Sequence, residues 1–242
     1  YGRIGKRIGD IAQGIGMNVL AYQRTYKPEY ECDTMHFASL DELFAKSDII
    51  ALSTPALGTI AILYTNDVHT YIDSPLSYDV IACLKAELKT QYEYVLLVDA
   101  GDHIQGTAYG SMDKGKTIIE LMNAAGYDVA TLGNHEFDYG MDGAMNVIDW
   151  AEYPYISCNF YHEEAGVKGE TVLDPYVMFD FGGEKVAFIG ITTPESFTKS
   201  TPAYFQDENG NYIYGISGGE DGAALHADVQ AGIDAAKAAG AE

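Results

Sequence analysis

Three apolar stretches of this chain each run directly into polar side chains, and this pattern constrains the fold more than any other feature. In α/β folds, ligands bind where the strands of the sheet end. The side chains after the strands are carboxylates, amides and imidazoles, which can face one site if Gly133 allows a sharp turn. We therefore predict that three strand ends deliver Asp, Asn and His side chains to one edge of a sheet. The three stretches are Ile62–His69, Val95–Asp102 and Val129–Asp138.

From Thr59 onward, apolar strands alternate with amphipathic helices, which predicts an α/β fold. Apolar residues three and four apart mark the helix faces, as in Val80–Leu88. Gly126 is placed to end the helix that follows, and Gly182–Gly183 is placed to turn a pair of strands. Further helices are predicted through Met145–Trp150 and over Ala223–Ala239, and further strands over Tyr155–Cys158, Tyr176–Phe181 and Lys185–Ile191.

The net charge of −22 is unevenly distributed along the chain. Residues 1–56 hold 6 Lys and Arg against 7 Asp and Glu, a net −1, and the remainder holds 8 against 29, a net −21. Such an acidic body disfavours nucleic-acid polymers and anionic membranes as partners and suits cation binding. For most of these carboxylates the alternative is a solvated acidic surface. The three cysteines lack a C-x-x-C pair, so neither a disulfide framework nor a thiolate metal site is indicated.

Residues 1–56 contain shorter α/β pieces, with a helix face from Ile8 to Ile15 and strands at Asn18–Tyr22 and Asp48–Ser53. A short helix is predicted at Leu40–Ala45. The motifs Tyr1-Gly2-Arg3-Ile4-Gly5, Gly16-Met17-Asn18-Val19-Leu20-Ala21-Tyr22, Ser39-Leu40-Asp41-Glu42-Leu43 and Ser47-Asp48-Ile49-Ile50 resemble the NAD-binding domain of D-2-hydroxyacid dehydrogenases.

This resemblance implies that Gly2 and Gly5 are the second and third glycines of the pyrophosphate-binding turn. The first glycine of that turn has no counterpart, and Gln23–Arg24 stands where an acidic residue would hold the ribose. Nothing in the chain corresponds to the catalytic residues of those dehydrogenases. We therefore interpret residues 1–57 as a partial Rossmann-like segment with no cofactor-binding residues.

The change between the two patterns is abrupt. Around Thr54–Gly58 the dehydrogenase-like sequence stops, and the apolar strand at Thr59–Tyr64 begins without a polar or Pro/Gly-rich linker. Gene fusion, rearrangement or an assembly artefact would each produce such a junction. We place the boundary between residues 57 and 58, so that residues 58–242 form the second region.

Residues Gly110–Thr117 fit the P-loop pattern G-x-x-x-x-G-K-[ST]. A phosphate-binding P-loop requires an apolar strand that runs straight into its first glycine. Gln105–Tyr109 precedes Gly110 instead. We therefore interpret the match as a coincidence at the start of a helix.

The motifs at the three strand ends resemble the metallophosphoesterase domain of the 5′-nucleotidase and 2′,3′-cyclic-nucleotide phosphodiesterase family. The resemblance covers residues 59–242 and includes Tyr64-Thr65-Asn66-Asp67, Asp99-Ala100-Gly101-Asp102, Gln105-Gly106-Thr107, Glu120-Leu121-Met122-Asn123, Gly133–Asp138 and Ile191-Thr192-Thr193-Pro194-Glu195. It implies a metallophosphoesterase-like α/β/β/α sandwich, in the α/β class. It also implies hydrolysis of a phosphoester in a nucleotide or similar small molecule.

The resemblance further implies a site that binds two divalent metal ions, and oxygen and imidazole ligands suit Mn, Zn, Co or Fe. Asp67 and His69 would bind the first metal, Asp102 would bridge, and Asn134 would bind the second. His135, oriented by Asp138, would be the catalytic dyad. Glu136 is expected to support the loop, and no ligand position fits the remaining histidines, which are His36, His103, His162 and His226.

One departure and two alternative functions stay open. Two later ligand segments of the family should follow the helix at Ala223–Ala239, whereas the sequence stops at Glu242, so an incomplete sandwich with reduced or no activity is expected. The alternatives are a remnant of an NAD(P)-dependent 2-hydroxyacid oxidoreductase and a non-catalytic fragment. Taken singly, each histidine or aspartate could also be a structural residue or a cap. Location is open, because the family is often exported and no signal peptide is present.

Overall fold

The computed structural model describes residues 3–14, 16–22, 28–39, 42–43, 46, 49–52, 60–219 and 221–242. Its helices are α1 (Arg3–Gly14), α2 (Tyr78–Lys89), α3 (Ala108–Ser111), α4 (Lys116–Ala125), α5 (Gly140–Trp150), α6 (Ser196–Lys199) and α7 (Ala223–Ala238), with 3-10 turns at Pro28–Tyr30, His135–Phe137 and Pro202–Phe205. Its strands are β1 (Val19–Ala21), β2 (Met35–Phe37), β3 (Ile49–Leu52), β4 (Ile60–Thr65), β5 (Tyr94–Asp99), β6 (Val129–Ala130), β7 (Phe160–Glu164), β8 (Val167–Thr171), β9 (Tyr176–Phe181), β10 (Glu184–Ile189) and β11 (Tyr214–Ile216). The predicted α/β class is confirmed.

The main sheet has the strand order β3-β4-β5-β6. Strands β4, β5 and β6 are parallel, and their register pairs Thr65 with Asp99 and Asp99 with Ala130. The three strands therefore end at the same level. Because parallel strands point the same way, the loops that follow them emerge at one edge of the sheet, as the sequence predicts.

The two faces of the main sheet are buried by different partners. Side chains of a strand alternate between faces, so Leu63 and Leu97 lie in the core that includes α2, α4 and α5. Ile60 and Leu96 lie on the other face, in a second core shared with Phe181 of β9. Burial on both faces explains why the sequences of β4 and β5 are almost continuously apolar.

A second sheet and a last helix complete the layers. Strands β9 and β10 form an antiparallel hairpin in which Phe181 pairs with Glu184. Phe188 of β10 faces the main sheet, whereas the next residue, Ile189, lies beside Gly232 of α7. The order of layers is therefore helices, main sheet, hairpin and α7. This α/β/β/α arrangement agrees with the predicted sandwich.

One predicted strand is wrong and one hairpin was missed. The stretch Tyr155–Cys158 makes only isolated bridges, from Tyr155 to Ala130 and from Ile156 to Asp174. Its neighbours form a separate antiparallel sheet of order β11-β7-β8. Strand β8 is mostly exposed, so it lacks the apolar pattern by which a sequence reveals a strand.

The front segment has α1, the parallel pair β1-β2, and β3, which pairs antiparallel with β4. The predicted strand at Asn18–Tyr22 is therefore confirmed, and the predicted strand near Asp48 joins the main sheet. Several predictions lie outside the described residues, namely the turn at Gly2, the pair Gln23–Arg24, most of the helix at Leu40–Ala45 and the junction at Thr54–Gly58. The boundary after residue 57 stays a prediction.

The segment that fits the P-loop pattern is not preceded by a strand. Gly110 lies inside the short helix α3, whose N-cap Thr107 accepts a hydrogen bond from the backbone of Tyr109. A Cβ at Gly110 would come within 2.1 Å of the carbonyl oxygen of Ile104, so close packing accounts for this glycine. This local structure agrees with the interpretation of the match as a coincidence, which stays a prediction.

Candidate metal centre

The loops after β4 and β5 are locked together by their backbones. The N–H of Asp67 donates to the carbonyl of Gly101 (3.1 Å), and the N–H of His69 donates to the carbonyl of Asp102 (3.0 Å). The backbones of Asp67, His69 and Asp102 have positive φ values of 53°, 48° and 60°. Such values are uncommon outside glycine and concentrate at functional sites, where surrounding contacts hold them.

His69 is held with one ring nitrogen free. Its Nδ1 lies 2.9 Å from the carbonyl oxygen of Gln105, and a carbonyl can only accept, so Nδ1 carries the proton. The lone pair of Nε2 is then available, and Nε2 lies 3.4 Å from Oδ1 of Asp67. A histidine whose second nitrogen donates to a backbone carbonyl is typical of metal ligands.

Asp102 connects the second and third loops. Its Oδ1 accepts a hydrogen bond of 2.7 Å from the backbone N–H of His135. A Cβ at Gly133 would lie 2.3 Å from the same oxygen, so only glycine leaves room for this carboxylate. We expected Gly133 to allow a sharp turn. The closest contact that a Cβ at Gly133 would make is this one, with Oδ1 of Asp102.

His69, Asp102 and His135 each offer a ligand atom, and these atoms lie within 4.8 Å of one another. The two imidazole rings have centroids 4.9 Å apart and meet edge to face at 72°. All three side chains are partly exposed, so a small molecule can reach them. This mixed set of imidazole and carboxylate suits Mn, Zn, Co or Fe.

Burial raises the pKa of Asp102, and the negative charge of Glu136 raises it further, against the lowering effect of the hydrogen bond from His135. Asp67 adds another like charge. A nearby cation would stabilise the ionised form of this carboxylate, because opposite charges attract.

His135 is held by Asp138 through a 2.7 Å contact between Nδ1 and Oδ2. Burial alone would lower the pKa of His135, but the hydrogen bond and the charge of Asp138 outweigh it, so the pKa is raised. The pairing that the sequence predicts for His135 and Asp138 is thus present. It orients the ring and leaves Nε2 free.

Glu136 supports the loops, as predicted. Its side chain is fully buried and accepts hydrogen bonds from the backbone N–H groups of Asp102 (2.9 Å), His103 (3.0 Å) and Gly133 (2.7 Å). A carboxylate that accepts several backbone bonds fixes the geometry of those segments. Glu136 therefore joins the end of β5 to the loop after β6.

Asn134 lies on the same loop, between Gly133 and His135, and its carbonyl accepts a 2.7 Å hydrogen bond from the hydroxyl of Ser200. The structure thus brings His69, Asp102 and His135 together, with Asp67 beside His69 and Asp138 beside His135. Sequence reasoning missed His103, which lies buried beneath these loops. The one available signal was its position directly after Asp102.

The chain matches the family model described as calcineurin-like phosphoesterase over residues 60–218, more than half of its length. It belongs to the calcineurin-like phosphoesterase family. A second model, the NAD-binding domain of D-isomer specific 2-hydroxyacid dehydrogenases, matches residues 1–66 of the chain. The two matches overlap at residues 60–66 and agree with the two predicted resemblances.

Curated relatives of this chain include proteins named as 5′-nucleotidases. The chain is 35% identical over 170 residues to the snake venom 5′-nucleotidase of Gloydius brevicauda. The aligned region covers 62% of this chain and 28% of the relative. The chain is 32% identical over 169 residues to the 5′-nucleotidase of Bos taurus. This aligned region covers 62% of this chain and 29% of the relative. The chain therefore spans less than a third of the length of these relatives.

Solved structures share the fold of this chain. A putative 5′-nucleotidase from Staphylococcus aureus matches with a TM-score of 0.61 and 22% identity, over 74% of this chain and 35% of that one. The calcineurin-like phosphoesterase YfkN from Bacillus subtilis matches with a TM-score of 0.56 and 29% identity, over 74% and 58%. Among the helices that the structure describes, none combines the length and the apolar character needed to cross a bilayer.

Proposed function

We propose that this protein hydrolyses the phosphate ester of a small nucleotide with the help of two divalent metal ions. The observation that carries the proposal is the convergence of His69, Asp102 and His135 within 4.8 Å at the edge of the main sheet. Relatives named 5′-nucleotidase support the substrate class. The acidic body disfavours nucleic-acid polymers and anionic membranes as partners.

The donor set fits such ions. Asp67 and His69 would hold one metal, Asn134 would hold the other, and Asp102 would bridge the two. His69 is prepared for this role because Gln105 holds its Nδ1 and leaves Nε2 free. When bound, the ions neutralise charge on the phosphoryl oxygens and activate water for attack.

His135 and Asp138 would act as the catalytic dyad. Asp138 holds Nδ1 of His135, so that Nε2 faces away from the carboxylate and can donate a proton to the departing ester oxygen. The raised pKa of His135 increases the fraction of the ring that carries this proton near neutral pH. The dyad would thus stabilise the leaving group.

The test is phosphate release from AMP and from 2′,3′-cyclic AMP with Mn²⁺, Zn²⁺, Co²⁺ or Fe²⁺. We expect metal-dependent turnover that Asp102→Ala and His135→Ala each reduce by at least about 10²-fold. His226→Ala is the matched control, because His226 is exposed on α7. Absence of turnover with all four metals would favour a non-catalytic domain and contradict the proposal.

The match of residues 1–66 to an NAD-binding domain raises a second candidate function, nicotinamide-dependent oxidation and reduction. The pair Gln23–Arg24 argues against it, because it stands where an acidic residue would hold the ribose. We expect no quenching of protein fluorescence by millimolar NAD or NADP. Saturable quenching would overturn this expectation.

A further inference from the structure

Asn159 is a fully buried asparagine directly before β7, and the proposed mechanism does not use it. Its side-chain oxygen accepts hydrogen bonds from the backbone N–H of Thr192 (2.8 Å) and from the hydroxyl of Ser157 (3.2 Å). Its side-chain nitrogen donates to the carbonyls of Thr192 (2.7 Å) and Ser217 (3.2 Å). A carbonyl can only accept and an N–H can only donate, so the amide has one possible orientation, in which its whole hydrogen-bonding capacity is used.

These bonds join three parts of the chain that are distant in sequence. Asn159 precedes β7, Thr192 follows β10, and Ser217 follows β11. The backbone N–H of Ser217 donates in turn to the carbonyl of Asn159 (2.8 Å). Thr192 is bound at both its N–H and its carbonyl, so the direction in which the chain leaves β10 is fixed. Loss of the amide would leave these buried backbone groups without partners, which is destabilising.

The segment that follows β10 lies along the loop after β6. At its start the carbonyl of Ile191 accepts a hydrogen bond from the hydroxyl of Thr131, the residue that follows β6 directly (3.3 Å). At its end the hydroxyl of Ser200 donates to the carbonyl of Asn134 (2.7 Å). Residues Ile191–Ser200, the bracing segment, are therefore bonded to this loop at both ends.

The middle of the bracing segment reaches the same loop through aromatic rings. The ring of Phe197 on α6 stacks on Phe205, with centroids 4.4 Å apart and 16° between the planes. The ring centroids of Phe205 and Phe137 lie 5.0 Å apart, and both side chains are fully buried. Phe137 belongs to the 3-10 turn that begins at His135. Close-packed interiors transmit a displacement, so a shift of the bracing segment would reach His135.

We propose that Asn159 is a positioning residue that fixes the start of the bracing segment, so that Ser200 holds the loop of Asn134 and His135 at the candidate metal centre. Asn159 acts through other residues and touches neither metal nor substrate, because its amide is buried and bonded within the chain. Its effect on metal affinity rests on the proposed function, in which Asn134 is a ligand. Its effect on the order of the loop does not.

The first experiment measures backbone hydrogen exchange in the metal-free full chain, well below its melting temperature. Asn159→Leu keeps a similar volume and removes the amide. We expect the amides of Ser200 and His135 to exchange about 10-fold faster than in the unaltered protein, the change that corresponds to the loss of one buried hydrogen-bond partner. These amides lie outside the direct contacts of Asn159, so their exchange reports the positioning effect.

Asn123→Leu is the matched control for this experiment. The side chain of Asn123 on α4 makes the same kind of bridge, since it donates to the carbonyl of Trp150 (2.9 Å) and accepts from the N–H of Glu152 (2.9 Å). A general loss of stability would therefore affect both variants alike. If the two variants change the two reporting amides equally or not at all, or if Asn159→Leu frees only Thr192, the proposal is overturned.

The second experiment measures Mn²⁺ affinity by calorimetry. Loss of a group that orients a metal ligand costs about 10–100-fold in affinity, and we expect Ser200→Ala near the lower end, because Ser200 holds the main chain of Asn134. Ser200→Thr keeps the hydroxyl and should retain the affinity. The double variant Asn159→Leu/Ser200→Ala should lose less than the product of the two single losses, because both changes act through the same hydrogen bond.

The outcomes separate the two proposals. If the unaltered chain binds no Mn²⁺ while Asn159→Leu still loosens Ser200 and His135, the proposed function fails and the positioning role stands. If the unaltered chain binds Mn²⁺ and Asn159→Leu binds it equally well, the positioning role fails and the proposed function stands. Single losses that multiply fully in the double variant, or equal losses in Ser200→Ala and Ser200→Thr, would also overturn the positioning role.

Discussion

At the residue scale, the backbone is strained at the candidate metal-binding residues. Asp67, His69, Thr70 and Asp102 all have positive φ, although none is glycine. Conformations of this kind cost about 1–3 kcal/mol each, so neighbouring contacts must compensate. The hydroxyl of Thr70 supplies one, because it accepts from the N–H of Thr107 at 2.6 Å. The loops therefore hold their geometry before any ligand arrives.

Gly133→Ala tests the space around Asp102. The new Cβ would lie 2.3 Å from Oδ1 and 2.8 Å from the backbone nitrogen of Asp102, so the carboxylate must move. We expect a loss of about 1–3 kcal/mol in the free energy of unfolding and a weaker affinity for Mn²⁺, measured by urea denaturation and calorimetry. Gly14→Ala is the control, since a Cβ there meets nothing within 4 Å. Unchanged affinity in Gly133→Ala would contradict the expectation.

Asp138→Asn tests the dyad. Asp138 raises the pKa of His135, so its removal should lower that pKa, which NMR titration of the metal-free protein measures. The ion pair stabilises the fold fully below the ordinary histidine pKa of about 6.5, and this stabilisation is lost as pH rises through the raised pKa of His135.

The same substitution should lower kcat by about 10²-fold with little change in KM, because it affects proton donation rather than binding. The exposed variant Asp142→Asn should retain the activity and the His135 pKa of the unaltered protein. A fall in KM and kcat together, with an unchanged His135 pKa, would argue against the dyad.

The candidate ligand residues could be proposed from the sequence, whereas most of the contacts that hold them could not. Asp67, Asp102 and His135 follow apolar runs directly, and that local pattern is visible in one dimension. The partners of His103 are not visible in this way, because Tyr155 lies 52 residues away in the sequence and comes close to His103 only in the folded chain. The positive φ values of Asp67 and Asp102 have no pattern in the sequence that distinguishes them.

At the element scale, β3 shows how the front segment meets the phosphoesterase sheet. Residues Ile49–Leu52 pair antiparallel with β4, from Ile49 opposite Thr65 to Leu52 opposite Ile62. The sequence predicts this strand as part of the dinucleotide-binding segment. An apolar run indicates that a strand is present, but it does not indicate which strand it pairs with. The observed pairing covers the outer edge of β4, the strand that leads to Asp67 and His69.

Removal of residues 1–57 tests whether the predicted boundary separates independent units. The shortened chain would expose the edge of β4, and an uncovered apolar edge invites association. We expect a lower melting temperature and concentration-dependent aggregation by light scattering. A chain that begins at residue 46 and keeps β3 should be less affected. Equal stability of both chains would mean that β3 contributes nothing to the sheet.

At the scale of the whole molecule, the four layers place an acidic chain around the candidate metal centre. Residues 57–242 carry a net −21, and the loops that bear Asp67, Asp102 and Glu136 add to the negative potential at the edge of the sheet. Like charges on a compact body oppose folding, and a bound cation relieves part of that repulsion. Metal binding and the stability of the fold should therefore be linked.

Addition and removal of Mn²⁺ test this linkage. A ligand that binds only the folded state at 100 times its Kd stabilises by about 2.7 kcal/mol. For a chain of this size that corresponds to a rise of about 5–10 °C in Tm, measured by calorimetry, and EDTA should reverse it. Asp102→Ala should abolish the shift, because its carboxylate joins the ligand cluster, while Asp142→Asn should preserve it. The same Tm with and without Mn²⁺ in the unaltered chain would mean that the converging side chains do not form a metal site.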